Sequence, residues 1–275
     1  MQDTITTIYC VCDDLLKAMN HQDDRQTRFS SAEVMTVPLV ACAFYGGNQA
    51  LARNFLHAHG YTRHTLSASR FARRLAALPQ EIWHTLFALL GEVFKAHNSS
   101  GAYVVDSLPI PVCDNIRIRR AKLFQGKAYR GYIASKRRYF FGLRVHLLIS
   151  GSGEPVEFVL APGAASDITS FKRFDLDLPA GSVIHADKGY TDYAEEELLH
   201  EAGSLTLIAQ RKKNSTRPHP AWVEFLSHPI RKRIETSFSQ LTTLFPKHIH
   251  AVTPHGFGLK LICFLLAFSF QCLGR

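Results

Sequence analysis

The first part of the chain has the hydrophobic spacing of short helices. Ser30 precedes an apolar run, and Glu33 lies three residues later, which is the pattern of a capping box at a helix N-terminus. Gly46 and Gly47 end this run, and further apolar stretches with helical spacing follow. The pattern therefore predicts a small helical domain over residues 1–98, similar in outline to a helix-turn-helix bundle.

After a polar linker at 97–101 the pattern becomes that of strands. Alternate positions from Phe141 to Ile149 are apolar, which is the period-two pattern of a strand with one buried face. The strand-like segments are 102–106, 139–150, 156–160, 182–187 and 205–209. The second and third form a hairpin, and the later ones alternate with helical segments. The order predicts a second domain over 99–275 of the α/β class, with a mixed sheet flanked by helices.

Two more helices are predicted towards the end of the chain. Pro229 suits the first turn of a helix, and Ile234 and Phe238 give that helix one apolar face. The apolar run Leu261–Phe268 and its short extension cover about 10 residues, whereas a bilayer span needs about 20. We therefore expect a buried helix here and no membrane partner.

Composition places the chain among ordinary globular proteins. Apolar residues make up 46% of its 275 residues, and 17 glycines and 12 prolines are too few for a fibrous or low-complexity chain. The six cysteines form no CxxC pair and no zinc-finger spacing with histidine, so they are expected to be free thiols. The N-terminus has no basic segment followed by a long apolar run. These features predict a cytoplasmic protein.

The charge is basic and unevenly distributed. There are 32 Lys and Arg against 23 Asp and Glu, and residues 101–275 carry 23 and 15 of them. Between 115 and 153 there are ten bases and no acid, whereas a merely solvated surface would usually carry some acids. We therefore expect a polyanionic partner such as DNA. The bases proposed to contact DNA in this segment are Arg117, Arg119, Arg120, Lys136, Arg137 and Arg138.

Three acids lie where their side chains could converge. Asp106 ends the first strand, Asp187 ends a later strand, and Glu235 lies on the helix that follows Pro229. Three crowded carboxylates repel each other unless a divalent cation neutralises them, and Mg²⁺ prefers such oxygen ligands. Taken singly, each acid has an ordinary alternative: the two aspartates as turn residues, and Glu235 as a helix-pair partner of Arg231.

Three motifs carry a resemblance to a known family. They are VVDSLPIPVC at 104–113, VIHADKGYTD at 183–192 and IRKRIETSFSQL at 230–241. Over roughly 100–270 the sequence resembles the DDE transposases of bacterial insertion sequences. The resemblance implies a ribonuclease H-like catalytic core, preceded by a helical region similar to the DNA-binding N-terminal part of such enzymes.

The resemblance also implies roles for individual residues. Asp106, Asp187 and Glu235 would be the catalytic triad and would bind two Mg²⁺ ions, for which Mn²⁺ would substitute. The neighbouring bases that would hold DNA phosphates are Lys188, Arg231 and Arg233. The partners implied are double-stranded DNA, as transposon ends and target, and further copies of the chain in a homodimer or larger complex.

The function expected is that of a transposase in the bacterial cytoplasm. It would nick DNA strands at transposon ends in a metal-dependent reaction and join the freed 3′-OH to target DNA. Two alternatives stay open. One is a metal-dependent nuclease of the same fold that does not transfer strands. The other is a non-catalytic DNA-binding protein, against which the intact triad argues.

Overall fold

The computed structural model of the chain describes residues 1–134 and 136–274. Its helices are α1 (Gln2–Ala18), α2 (Ser31–Phe44), α3 (Gln49–Ala58), α4 (Ala68–Ala77), α5 (Gln80–His97), α6 (Asp167–Phe171), α7 (Tyr193–Gly203), α8 (Ala221–Leu244) and α9 (Pro254–Leu273). Its strands are β1 (Ala102–Cys113), β2 (Arg130–Ile133), β3 (Arg138–Ser150), β4 (Pro155–Pro162), β5 (Val183–Ala186) and β6 (Thr206–Ala209). Short 3₁₀ turns lie at Asn115–Arg120, Lys127–Tyr129 and Lys188–Tyr190.

The chain forms two compact units. One combines Met1–Leu89 with Gln240–Arg275 and is helical, and the other is Leu90–Ser239 and contains the sheet. The sequence places the C-terminal helix with the sheet, whereas α9 packs in the helical unit. The reason is its composition, because a helix that is apolar on every side must be surrounded by other elements. The functional division at residues 98 and 99 stays a prediction.

The helical unit is built around α2. Nearly every residue of α2 is buried, and α1, α3, α4 and α9 pack against it. The predicted capping box begins this helix: the Ser30 hydroxyl accepts from the backbone N–H of Glu33 at 3.2 Å, and Glu33 accepts from the backbone N–H of Ser30 at 2.6 Å. The capping box thus fixes where the central helix of the unit begins.

Helix α9 is longer than its apolar run indicates. Thr253 caps its first turn, and the helix continues for 20 residues. By length and composition α9 could cross a membrane, but 67% of its most apolar window is buried within the protein. Core helices of soluble proteins also reach this length and apolar composition, so these two properties are weak evidence for a membrane span.

The sheet confirms the predicted mixed α/β architecture. The strand order is β2-β3-β1-β5-β6, and β4 also pairs with β3. Strands β2, β3, β4 and β1 pair in antiparallel fashion, whereas β1, β5 and β6 run parallel. Helical segments follow the sheet strands, and a helical region precedes them, as the fold class predicts.

Strand β1 is longer than the predicted segment 102–106. It continues to Cys113 through Pro109 and Pro111 while pairing with β3. Among the described residues of β1, only Ala102–Val105 pair with β5. Beyond Val105 one side of β1 is therefore an edge, where strands tolerate proline because no partner needs its N–H.

Helix α8 begins at Ala221, earlier than the predicted start near Pro229. Pro229 lies inside the helix, where it removes one backbone hydrogen bond. The helix continues because side chains on both sides of the proline hold it to β5 and the residue after it. Ser227 bonds His185 and Arg231 bonds Asp187.

Gly91 provides a test of the packing between α5 and the sheet. A Cβ at Gly91 would lie 2.4 Å from the backbone oxygen of Val156 on β4. Glycine inside a helix normally costs about 1 kcal/mol relative to alanine. Here the backbone clash reverses the sign, and we expect Gly91→Ala to lower the free energy of unfolding by about 2 kcal/mol in urea denaturation.

Gly258 in α9 is the matched control, because a Cβ there would meet nothing within 4 Å. Gly258→Ala should raise the free energy of unfolding by up to about 1 kcal/mol. Equal stabilisation by both substitutions would contradict the close approach of α5 to β4.

Candidate active site beside the β1–β5 pairing

Two of the predicted acids lie side by side. Val105 and Ala186 form the last pair in the register between β1 and β5, and Asp106 and Asp187 are the residues that follow them. Neighbouring strands are about 4.8 Å apart, so the two backbones present their aspartates at the same level. Both residues are half-buried. The parallel pairing of β1 and β5 therefore brings the first and second acidic motifs together.

The electrostatics of this pair favour a cation. Burial raises the pKa of Asp106 to about 6, and the negative charges of Asp187 and Asp167 add to the rise. The backbone N–H of Ser107 donates to Asp106 Oδ1 at 2.7 Å, and Arg231 also opposes the rise. The three carboxylates outnumber the two arginines that contact them, Arg231 and Arg144, which leaves negative charge for a bound cation to neutralise.

Helix α8 crosses the end of β5. Ser227 Oγ lies 3.2 Å from His185 Nδ1, and Arg231 Nη2 donates to Asp187 Oδ1 at 3.2 Å. Glu235 follows Arg231 by four residues and so lies on the same side of the helix, one turn further along. It is exposed, beside the buried Ile234.

The three acids of the predicted triad are not gathered into a metal cage. Within residues 1–134 and 136–274, no group of three or more His, Cys, Asp or Glu side chains is close enough to hold a metal ion. Asp106 and Asp187 offer the hard oxygen donors that suit Mg²⁺. The chemistry of this donor set fits a divalent ion, which Asp106 and Asp187 would hold, whereas the contribution of Glu235 stays a prediction.

Asp167 is a further carboxylate at the site. Its Oδ1 accepts a hydrogen bond from Ser107 Oγ at 3.1 Å. Its Oδ2 would lie 2.5 Å from a Cβ at Gly189, so the glycine of the Asp-Lys-Gly-Tyr run leaves room for this carboxylate. From the sequence, a turn or cap role is favoured for Asp167. It does lie in the first turn of α6, but Ser166 is the cap.

Arg144 clamps the backbone around the site. Its guanidinium donates to Ser107 Oγ at 3.0 Å, to the Gly163 carbonyl at 3.1 Å and to the Tyr132 carbonyl at 2.7 Å. It also lies 4.0 Å from Asp167. Arg144 is one of the ten bases between 115 and 153, yet these bonds commit it to holding β1, β2 and the segment after β4. The sequence signal for this role is a lone charge inside an apolar strand.

Tyr190 anchors the turn that follows Asp187. It is fully buried, its hydroxyl lies 3.0 Å from His146 Nδ1, and its ring meets Phe171 edge to face at 5.9 Å. Burial lowers the pKa of His146 to about 4, with smaller contributions from Arg144 and Arg173, so this ring is neutral at pH 7. The tyrosine of the motif thus anchors the turn to the core through His146 and Phe171.

His185 packs as a strand residue. Burial lowers its pKa to about 4, with Arg231 contributing, so it is also neutral and bonds Ser227. The sequence favours this packed role over a metal role, and the contacts of the ring agree with it.

The predicted DNA-contacting bases lie on the surface. The exposed ones are Arg117, Arg119, Arg120, Lys136, Arg137, Arg138, Lys188 and Arg233. Arg231 is half-buried and already bonded to Asp187. Two exposed tyrosines, Tyr132 and Tyr139, pair across β2 and β3 with ring centroids 5.0 Å apart. Phe124 and Phe140 are buried and belong to the core.

The fold and this site define an α/β protein with paired aspartates at the point where the parallel pairing of two strands ends. The family model described as the transposase DDE domain matches residues 96–250, which is more than half of the chain. The chain therefore belongs to the DDE transposase domain family, and the family expected from the three motifs is confirmed.

Among solved structures, the piggyBac transposase synaptic complex with hairpin DNA is similar to this chain. The TM-score is 0.49 and the sequence identity 11%, with 98% of this chain and 72% of that chain covered. A likeness at this level does not bear on the chemistry of the site. The comparison with curated proteins gives no match.

Proposed function

We propose that this transposase nicks DNA at transposon ends in a metal-dependent reaction and joins the freed 3′-OH to target DNA. The observation that carries the proposal is the placement of Asp106 and Asp187 at one level on neighbouring parallel strands, with Arg231 of α8 beside them. Family membership supplies the transposase class, and this geometry supplies a site for the chemistry.

Different residues of the chain would have different roles in this reaction. Asp106 and Asp187 would hold Mg²⁺ or Mn²⁺, and Glu235 would complete the triad from α8. Divalent ions held there would supply charge stabilisation to the oxygens of the reacting phosphodiester. Asp167 and Arg144 would keep Ser107 and hence Asp106 in place. Nicking consumes one water and leaves a 3′-OH and a 5′-phosphate, and joining exchanges one phosphodiester for another.

The exposed bases would hold the DNA. Lys188 directly follows Asp187, and Arg233 lies two residues before Glu235. Arg231, which is bonded to Asp187, would hold a phosphate beside the two aspartates. The bases at Asn115–Arg120 and at the turn between β2 and β3 would follow the backbone further away. Phosphate contacts of this kind set affinity rather than sequence preference. Because two DNA ends must be joined, we propose that the protein acts as a homodimer or larger complex in the bacterial cytoplasm.

The test is nicking of supercoiled plasmid, followed by joining of labelled duplexes that carry the ends of the element. We expect nicked product with Mg²⁺ or Mn²⁺ and none with EDTA, and joined product only with cognate ends. Nicking with cognate ends but without joining would identify a nuclease instead. Nicking that persists in EDTA would contradict the metal-dependent proposal.

A further inference from the structure

The helical unit separates its charges along the chain. Residues 34–80 contain five arginines and three histidines but no Asp or Glu. Residues 236–275 contain three Lys or Arg and three histidines, again without an acid. The acids of this unit lie in residues 1–33 and at Glu81. The near balance of 9 Lys and Arg against 8 Asp and Glu in residues 1–100 therefore conceals a basic part of the helical unit.

The two acid-free stretches meet at one cavity. It has a volume of about 480 Å³ and is open to solvent. Its lining comes from the turn at 45–49, the loop at 246–250 and two residues of α9, Lys260 and Phe264. The polar side chains on this lining are Tyr45, Asn48, Gln49, His248, His250 and Lys260. No carboxylate in the described part of the chain lines the cavity.

Phe264 holds the two rims in place. A Cβ at Gly47 would lie 2.9 Å from Phe264 Cζ, and Gly47 has a φ of +81°, so the turn packs on this ring in a conformation that glycine favours. Phe245, directly before the loop, meets the same ring edge to face, with ring centroids 4.9 Å apart. The cavity is thus a built feature of the unit.

Lys260 is placed to bind an anion. Its ammonium donates to the His250 carbonyl, which fixes the side chain at the rim. An ammonium carries three donors, and this bond uses one of them. Imidazoles of His248 and His250 and the amide of Gln49 add donors around it, and without a neighbouring carboxylate nothing repels a phosphate.

We infer that this cavity binds a backbone phosphate of duplex DNA, as a second contact surface away from Asp106 and Asp187 in the chain. The inference rests on the proposed function in one respect, the identity of the polyanion as DNA. The first N–H groups of α3 do not bind the phosphate, because Asn48 already caps them. The ligand is therefore held by side chains, chiefly Lys260.

The experiment measures binding of a fluorescent duplex by the full chain, without added metal, as salt is raised. Lys260→Gln should weaken binding about fivefold at 0.15 M salt and lower the slope of log K against log[salt] by about one, the effect of losing one phosphate contact. Lys17→Gln is the matched control, because it removes the same charge from α1 beside Asp13 and Asp14. That control should change neither quantity.

A double variant guards against a folding effect. If Lys260→Gln lowers the melting temperature through its lost bond to His250, His248→Gln with His250→Gln tests the same cavity while keeping the lysine. It should weaken binding at least about twofold. Imidazole NMR signals of these two histidines should shift on addition of duplex DNA. Shifts with inorganic phosphate but not with DNA would overturn the inference in favour of a small-anion site.

Failure of this inference is distinguishable from failure of the proposed function. If both cavity variants bind DNA like wild type, while Gln at Arg117, Arg119 and Arg120 weakens binding, the cavity inference is overturned and the proposed function stands. If wild type nicks nothing with metal but the cavity variants still weaken binding, the catalytic proposal fails and the cavity inference stands.

Discussion

Asp187→Asn is expected to lower the rate of metal-dependent DNA nicking by about a thousandfold or more, while the protein stays folded. Asparagine removes one of the two adjacent negative charges that would hold the divalent ion. Loss of about 4 kcal/mol of transition-state stabilisation corresponds to about a thousandfold in rate. The asparagine Oδ1 can still accept the hydrogen bond that Arg231 donates to Asp187. The measurement is the initial rate of plasmid nicking with Mn²⁺, beside a circular dichroism melt.

Asp114→Asn is the matched control for this prediction. It makes the same chemical change at an exposed aspartate whose side chain does not cap the turn that follows it. We expect this variant to nick within about twofold of the wild-type rate. Equal nicking by Asp187→Asn and wild type would instead place the activity elsewhere, in another site or in a contaminating nuclease.

The same assay decides which side chain is the third carboxylate. The motif assigns Glu235, whereas the structure brings Asp167 to Ser107 and leaves Glu235 exposed. We expect Glu235→Gln to lose nicking as severely as Asp187→Asn. Asp167→Asn should retain at least about a tenth of the rate, because asparagine preserves the acceptor for Ser107. The reverse ranking would make Asp167 the third ligand.

The sequence predicts those parts of the fold that depend on local chemistry. The capping box at Ser30 depends on two residues that lie three positions apart, and the structure places it as expected. Period-two alternation likewise identifies β3. Two predictions of this kind went wrong at prolines, in β1 and in α8, because neighbouring elements there outweigh the local preference.

The site is harder to predict, since its parts come from distant positions. Parallel pairing of β1 and β5 brings Asp106 and Asp187 together across 81 residues of sequence. The roles of Arg144 and Asp167 were not anticipated. Arg144 donates a hydrogen bond to Ser107, and Ser107 donates one to Asp167. Both residues lie on elements that neither motif contains, and sequence spacing carries no information on such contacts.

Asp106→Asn should make the protein more stable although it removes the proposed chemistry. Burial, with the charges of Asp187 and Asp167, raises the pKa of Asp106 to about 6 in the folded state, from 3.8. Between these values the folded state binds more protons than the unfolded state, so stability falls as pH rises from about 4 to about 6. The difference costs wild type at most about 3 kcal/mol at pH 7 in metal-free buffer. Asparagine avoids that cost and keeps the acceptor for the Ser107 N–H.

The measurement is urea unfolding of both proteins in EDTA at pH 4.5 and pH 7. The gain from Asp106→Asn should be largest at pH 7 and shrink towards pH 4.5. A divalent ion should then narrow the difference in stability between the two proteins. A ligand that binds only the folded state adds about 1.4 kcal/mol to the free energy of unfolding at ten times its dissociation constant. Mg²⁺ should therefore raise the melting temperature of wild type but not of Asp106→Asn. Equal stability of the two proteins at pH 7 without metal would show that Asp106 carries no electrostatic strain, and would remove the physical reason for a cation at this site.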